Sequence, residues 1–101
     1  MTQRPYRLRV ADHAAAVFRT LHPNIKRKLK AAFQAILADP YVGKTLGEEL
    51  SGLRSYRVSR FRIVYRFEKD RQVEIIAVGP RERIYEETYR LIRKDEKERG
   101  S

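Results

Sequence analysis

Apolar and polar residues alternate in several parts of the chain, and this period of two predicts β-strands. Residues 6–10 (YRLRV) place their apolar side chains on one side of a short first strand. In residues 55–67 (SYRVSRFRIVYRF), the apolar set changes from even to odd positions near Ser59. A continuous strand would place one set on the wrong face, so this change predicts a tight turn or bulge between two strands. Residues 73–78 (VEIIAV) are nearly all apolar, which is typical of a central strand.

Apolar residues at helical spacing predict three helices. Asp12 can cap the first, and Pro23 ends that helix and suits the first turn of the second. The second helix stops at Asp39-Pro40, and a third covers roughly residues 81–99. Residues 41–52 contain three glycines and are predicted to be a loop.

The order strand, helix, helix, strand, strand, strand, helix predicts an α+β fold. We expect an antiparallel sheet of about four strands with an N-terminal helical hairpin and a C-terminal helix. Short turns between consecutive strands favour a meander with the helices mainly on one face, which leaves the other face partly open. A chain of 101 residues can bury one core, so residues 1–101 are predicted to form a single domain.

The net charge of the chain indicates which class of molecule it binds. Lys and Arg total 23 against 13 acidic residues, which gives a formal net charge of +10. This charge favours nucleic acid over a membrane surface, because no segment is a basic amphipathic helix with a Trp or Phe face. No apolar run approaches the ~20 residues of a membrane span and we expect no signal peptide, so a cytoplasmic location is predicted. The absence of cysteine excludes disulfides and thiolate metal sites.

Arginines occupy the predicted strands between their apolar residues. Arg57, Arg60, Arg62 and Arg66 lie opposite the apolar stripes, and Arg54 begins the same region. An ordinary outward charge would explain one such arginine. Neighbouring like charges repel unless an anion offsets them, so this sheet face is interpreted as an anion-binding surface.

A second basic cluster, residues 79–89 (GPRERIYEETY), directly follows the central strand. A strand, a glycine turn and a helix start favour phosphate binding, because unpaired backbone N–H groups and the helix dipole attract an anion. Arg81 and Arg83 add positive charge, and Tyr85 adds a hydroxyl group one turn into the helix. The alternative, which spacing leaves open, is that Tyr85 is a core aromatic residue and Arg81 a loop charge.

Three motifs together resemble the RelE/ParE superfamily of bacterial and archaeal toxins: LSGLRSYRV at residues 50–58, RFRIVY at residues 60–65 and VGPRERIY at residues 78–85. The resemblance covers nearly the whole chain and implies the fold predicted above. RelE-type members cut messenger RNA in the ribosomal A site, whereas ParE-type members poison DNA gyrase. Resemblance to the RelE-like branch implies an mRNA interferase that inhibits translation on the ribosome. It also implies a cognate antitoxin, for which the basic surface predicts an acidic segment.

The resemblance implies that four positions of this chain correspond to the RelE catalytic residues. The first basic strand position falls on Arg57, and the arginine of the next strand falls on Arg62. The closing arginine and tyrosine fall on Arg81 and Tyr85. The implied reaction needs neither metal nor cofactor, because the RNA 2′-hydroxyl is the nucleophile. Arginines would stabilise the charge that develops on the phosphate, and Tyr85 would help to activate the hydroxyl group.

The remaining basic residues are predicted to bind RNA phosphates. These residues are Arg54, Arg60, Arg66 and Arg83. The second basic position of the RelE set falls on Ser59, with Arg60 beside it. Some bacterial members have lysine or histidine where this chain has Pro80.

Other candidate bases and other functions stay open at this point. His13 and His22 lie far in sequence from the arginines and are predicted to be surface or capping residues. Glu82 and Glu86 are predicted to balance the charge of a basic helix start. One alternative function is a ParE-like gyrase poison, which would act by protein contact and would not need the arginine–tyrosine set. Another is a non-catalytic module that binds RNA or the ribosome.

Overall fold

The structure is a computed structural model that describes residues 6–68, 71–81 and 83–100. Its elements follow the predicted order, with one strand more than expected. The helices are α1 (Asp12–Thr20), α2 (Pro23–Ala38) and α3 (Ile84–Gly100). The strands are β1 (Arg7–Val10), β2 (Lys44–Thr45), β3 (Arg54–Val58), β4 (Phe61–Glu68) and β5 (Gln72–Pro80). The α+β class, the helical hairpin and the C-terminal helix are therefore confirmed.

The five strands form one sheet in the order β1-β5-β4-β3-β2. Strands β2 to β5 pair antiparallel with their neighbours, whereas β1 runs parallel to β5. The expectation of a wholly antiparallel sheet is wrong for β1, because no tight turn joins β1 to β5 and sets their relative direction. Strand β2 lies in the predicted loop, and its two residues are too few to show an alternating pattern.

The predicted change of parity near Ser59 is a tight hairpin turn. Val58 pairs with Phe61, so only Ser59 and Arg60 connect β3 to β4. Ser59 has a φ of 54°, which a non-glycine residue adopts with some strain and which two-residue hairpins require. The turn therefore keeps the apolar residues of both strands on the same face of the sheet.

Helices cover both faces of the sheet, contrary to the expectation that they lie mainly on one. Helices α1 and α2 pack on the face that carries Ile63 and Tyr65. Helix α3 packs on the other face through Ile84, which joins Val64 and Ala77 in a second buried cluster. A register shift between β4 and β5 adds a further apolar residue from β5 to that cluster, and this local irregularity is not visible in the sequence pattern.

The helix starts differ slightly from the predicted ones. Asp12 is the first residue of α1, not its cap, and its carboxylate in the first turn favours the positive end of the helix dipole. Helix α3 begins at Ile84, because the preceding residues form a turn in which the Arg83 N–H donates to the Pro80 carbonyl at 3.1 Å. In the part of the chain that the structure describes, no helix is both long enough and apolar enough to cross a bilayer.

The buried Tyr65 ties the segment after α2 to the sheet. Its hydroxyl group donates to the Pro40 carbonyl at 2.7 Å and accepts from the Gly43 N–H at 2.9 Å. A Cβ atom on Gly43 would lie 2.5 Å from that hydroxyl oxygen and 2.8 Å from the ring. Gly43 is therefore required because the backbone and the tyrosine approach each other closely.

Gly43→Ala should destabilise the fold by about 1–3 kcal/mol, because the new methyl group must displace a fully buried ring. Gly47→Ala is the matched control, since a Cβ atom there meets no heavy atom within 4 Å. We expect this control to change the free energy of unfolding by less than about 0.5 kcal/mol. Urea unfolding of both variants measures the difference. Equal stability of the two variants would contradict the packing described for Tyr65.

Burial raises the pKa of the Tyr65 phenol above its ordinary value of 10.0, against the opposing effects of the Gly43 N–H and the Arg54 charge. The folded state therefore keeps the phenol proton at a pH where the unfolded chain has lost it. This contribution to stability is complete below pH 10.0 and declines as the pH rises above it.

Urea unfolding at increasing pH should accordingly show a loss of stability above about pH 10 that is smaller in Tyr65→Phe. At neutral pH this variant should be less stable by about 1 kcal/mol, because the buried hydrogen bonds are lost. The Tyr41→Phe variant is the control, because Tyr41 is 61% exposed. A decline of the same size in all three proteins would contradict the assignment to Tyr65.

Candidate active site

Two of the predicted catalytic arginines lie directly opposite each other on neighbouring strands. Arg57 of β3 pairs with Arg62 of β4, so their Cβ atoms are about 5 Å apart on one face of the sheet. This is the face on which α3 packs, because Val64 lies two residues beyond Arg62 and belongs to the cluster under α3. Arg57 is exposed and Arg62 is half-buried.

A buried serine joins Arg62 to the predicted catalytic tyrosine. The Ser55 side-chain oxygen accepts a hydrogen bond from Arg62 Nη1 at 3.1 Å and another from the Tyr85 hydroxyl at 3.2 Å. Ser55 is only 2% exposed, so this contact is well shielded from solvent. The arrangement brings a guanidinium group and a phenol together, from two elements that are distant in the sequence.

The Arg62 guanidinium has one nitrogen without a hydrogen-bond partner among the described residues. Its Nε atom is buried and unpaired. A buried N–H without a partner costs about 1–3 kcal/mol, and such groups in native proteins are often found at functional sites. Arg62 is therefore held in a partly desolvated position, and no acidic side chain among the described residues forms an ion pair with it. This is favourable for anion binding.

The turn after β5 brings further arginines to the same end of the sheet. Gly79 pairs with Arg62, and the Arg81 N–H donates to the Arg60 carbonyl at 3.0 Å. The side chains of Arg60, Arg81 and Arg83 are all exposed. Backbone pairing thus places Arg60 and Arg81 at the end of the sheet at which Arg57 and Arg62 lie, and Arg83 follows in the turn before α3.

Two of the predicted phosphate contacts lie elsewhere. Arg54 pairs with Tyr65 on the opposite face, where its Nη1 donates to the Gly43 carbonyl at 2.8 Å. Arg66 lies at the far end of β4 and forms an ion pair with Glu74 at 2.9 Å. The sequence pattern predicts that both arginines lie near Arg62. Arg54 lies on the other face of the sheet because of its position in β3, and Arg66 forms an ion pair with Glu74.

The turn residue Ser59 has two cationic neighbours. Lys28 of α2 places its Nζ atom 3.4 Å from the Ser59 hydroxyl oxygen. Arg57 places its Nε atom 3.4 Å from the Ser59 carbonyl oxygen. The position that the resemblance assigns to a second basic residue is thus occupied by serine, with a lysine amine from another element beside it.

The other candidate bases have different structural roles. His22 caps α2, with its Nδ1 atom accepting from the Asn24 N–H at 3.1 Å, and His13 is exposed on α1. Glu86 forms an exposed ion pair with Arg90 at 2.7 Å, and Glu82 lies outside the described residues. Within the described ranges, no group of three or more His, Asp or Glu side chains could hold a metal ion.

Two residues near this site have no recognisable signal in the sequence. Ser55 is a lone serine in an apolar strand, and only the folded structure brings it next to Arg62. Glu87 of α3 has a carboxylate oxygen 3.6 Å from the position that a Cβ atom on Gly79 would occupy. Its place two residues beyond Tyr85 gave no signal in the sequence, because helical spacing alone does not show that this turn of α3 meets the sheet.

The sequence matches a known family over most of its length. Residues 5–85 match the family model described as the ParE toxin of the type II toxin–antitoxin system, parDE. No curated protein sequence matches the chain.

Several solved structures are similar to this one. The toxin–antitoxin complex RelBE2 from Mycobacterium tuberculosis is 32% identical with a TM-score of 0.68, over 77% of this chain and 100% of that chain. A mutant of the E. coli toxin RelE in the free state is 21% identical with a TM-score of 0.73, over 91% and 98% of the two chains. The archaeal RelE–RelB complex from Pyrococcus horikoshii is 18% identical with a TM-score of 0.60, over 79% and 99%. At their lower identities, the last two support the fold alone.

Replacing Ser55 should disturb the contact between strand and helix without unfolding the protein. In Ser55→Ala, Arg62 Nη1 and the Tyr85 hydroxyl lose their common acceptor, and we expect a destabilisation of about 1–3 kcal/mol. Ser51→Ala is the control, because Ser51 is exposed in the loop before β3. Urea unfolding measures the cost. A cost for Ser55→Ala no larger than that for Ser51→Ala would contradict the bridging role of this serine.

Proposed function

The chain belongs to the RelE/ParE superfamily of type II toxin–antitoxin toxins, and from this premise we propose that it is a ribosome-dependent mRNA endonuclease. The observation that carries the proposal is the contact of Arg62 and Tyr85 with one buried serine hydroxyl group. Arg57 lies across from Arg62 on the same face. A phosphate and an adjacent ribose hydroxyl could therefore meet cations and a phenol together.

In the proposed reaction, the RNA 2′-hydroxyl attacks the neighbouring phosphorus and the 5′-oxygen of the next nucleotide leaves. Arg62 and Arg81 would bind the phosphate oxygens, on which negative charge increases in the transition state. A preorganised donor of this kind is worth about 10²–10³-fold in rate. The half-buried position of Arg62 strengthens its effect, because water screens it less than a fully exposed charge.

Proton transfer in this reaction is assigned to Tyr85, whose phenol oxygen takes the 2′-hydroxyl proton as its own proton passes to water. Water then protonates the leaving 5′-oxygen beside Arg57, and a 2′,3′-cyclic phosphate remains. Ser55 would act as a positioning residue, because its side-chain oxygen fixes the direction of the tyrosine hydroxyl group. Arginine is permanently protonated and is therefore a poor base, so the arginines would act through their charge. Neither a metal ion nor a cofactor takes part in this proposal.

The proposed partners are an mRNA-loaded ribosome and a cognate antitoxin, which places the protein in the cytoplasm. The similar structure from Mycobacterium tuberculosis is a complex of a toxin with its antitoxin, and this supports an antitoxin for the present chain. The net charge of +10 favours an acidic antitoxin segment.

A second candidate function is inhibition of DNA gyrase. It is favoured by one specific observation, namely that the matching family model is that of the ParE toxin. Such a poison would act by protein contact, so it would not depend on Tyr85. Tyr85→Phe should therefore impair an mRNA endonuclease but not a gyrase poison.

The Tyr85→Phe variant should cleave mRNA about 10²-fold more slowly than the wild-type protein, because it lacks the hydroxyl group assigned to proton transfer. Tyr89→Phe is the matched control, since Tyr89 lies one turn further along α3 and its hydroxyl group accepts a hydrogen bond from Arg93 at 3.1 Å. This control should cleave at the wild-type rate. The measurement is mapping of new RNA 5′ ends in a purified translation system.

The outcome of this experiment separates the alternatives. Cuts within translated codons that depend on Tyr85 support the endonuclease. Inhibition of purified gyrase by both tyrosine variants, without any mRNA cuts, would instead establish the ParE-like function. Translation arrest without cuts in either RNA or DNA would support the non-catalytic binding module.

A further inference from the structure

Cationic side chains from two elements lie close to the hairpin turn between β3 and β4. Lys28 of α2 and Arg57 of β3 each place a nitrogen 3.4 Å from an oxygen of Ser59. Arg60, the second residue of the turn, is exposed, and its carbonyl oxygen accepts from the Arg81 N–H at 3.0 Å. We call Lys28, Arg57, Ser59 and Arg60 the hairpin-tip cluster.

No acidic side chain of the described residues forms an ion pair with the cationic members of this cluster. In the ranges that the structure describes, the ion pairs involve Glu74 and Glu86, and neither contacts Lys28, Arg57 or Arg60. Like charges that are brought together repel, and a bound anion offsets this repulsion. The cluster is also exposed, so a large ligand can reach it.

We propose that the hairpin-tip cluster is a second phosphate-binding site, which holds the backbone of the RNA strand beside the candidate active site. Lys28, which no sequence motif singled out, is its distinguishing member. The identification of the strand as RNA rests on the proposed function, whereas the phosphate contact itself rests on the cluster.

Continuity with the candidate active site supports a nucleic-acid backbone as the ligand. Arg57 belongs to both sites, because it lies across from Arg62 and also contacts Ser59. Ser59 begins the turn directly after β3, two residues along the chain from Arg57, so the two sites adjoin. A single strand with one phosphate at Arg62 can therefore present a neighbouring phosphate to the hairpin tip.

The surface chemistry of the tip favours RNA over an acidic protein segment. Protein interfaces have an apolar core, and a phosphate backbone needs mainly cationic donors. The large apolar side chains that are exposed among the described residues are Tyr41 and Val42. They lie in the segment beside β2, at the opposite end of β3 from the hairpin tip.

The experiment compares Lys28→Gln with Lys30→Gln. Both substitutions remove one lysine charge from α2, but Lys30 lines a groove with Leu8 and Phe33, away from the hairpin tip. The probe is a fluorescent single-stranded RNA of mixed sequence, bound without ribosomes and followed by anisotropy over a range of salt concentrations. Circular dichroism of both variants checks that they are folded.

We expect Lys28→Gln to reduce the slope of log affinity against log salt concentration by about 0.7, as the loss of one phosphate contact with single-stranded nucleic acid does. Arg60→Gln should do the same. Lys30→Gln should keep the wild-type slope. Equal slopes for Lys28→Gln and Lys30→Gln would overturn the proposal.

Two further measurements separate this proposal from the proposed function. A smaller slope for Lys28→Gln in a protein that does not cut mRNA would contradict the endonuclease and support the phosphate site. Binding to polyglutamate that depends on Lys28, together with an RNA slope that does not, would overturn the phosphate site in favour of an acidic protein partner. Neither result depends on whether Tyr85 is catalytic.

Discussion

The packing of α3 against the arginine-bearing face of the sheet is the contact on which the candidate site depends. Ile84 is fully buried against Val64 and Ala77, and this fixes the first turn of the helix. Tyr85 follows directly, so its hydroxyl group reaches Ser55. Gly79 permits the close approach, because a Cβ atom there would lie 3.2 Å from the end of the Ile84 side chain. A small apolar contact thus positions the polar groups beside it.

Successive side chains of β4 lie on opposite faces of the sheet, so this strand contributes residues both to the core and to the candidate site. Ile63 and Tyr65 are fully buried under the helical hairpin, while Arg62 points to the other face. Because the core residues are fully buried, their free energy of burial also fixes the direction of the intervening arginines. A shift of one residue would exchange the two sets. The register that stabilises the domain is therefore also the register that assembles the site.

Charge is distributed unevenly along the arginine-bearing face. At one end Glu74, which is 8% exposed, forms ion pairs with Arg66 and Arg9 at 2.9 Å and 3.6 Å. At the other end, Arg57 and Arg62 face each other with no ion pair to an acidic residue among those described. An arginine with an acidic partner contributes to the structure, whereas arginines without one leave a surface potential that attracts anions.

The sequence by itself predicted the order of all the elements except the short β2 and a tight turn or bulge near Ser59, because periodicity is a local property. The catalytic set rests on short motifs and stays a prediction. It could not determine that β1 runs parallel to β5 or that α3 covers the second face, since both depend on contacts between distant segments. Arg54 differs, because it shares the parity of Tyr56 in β3, and this alternation alone places it on the face opposite to Arg57. Only the tertiary structure brought Ser55 to Tyr85 and Lys28 to Ser59, as these pairs are 30 and 31 residues apart in the chain.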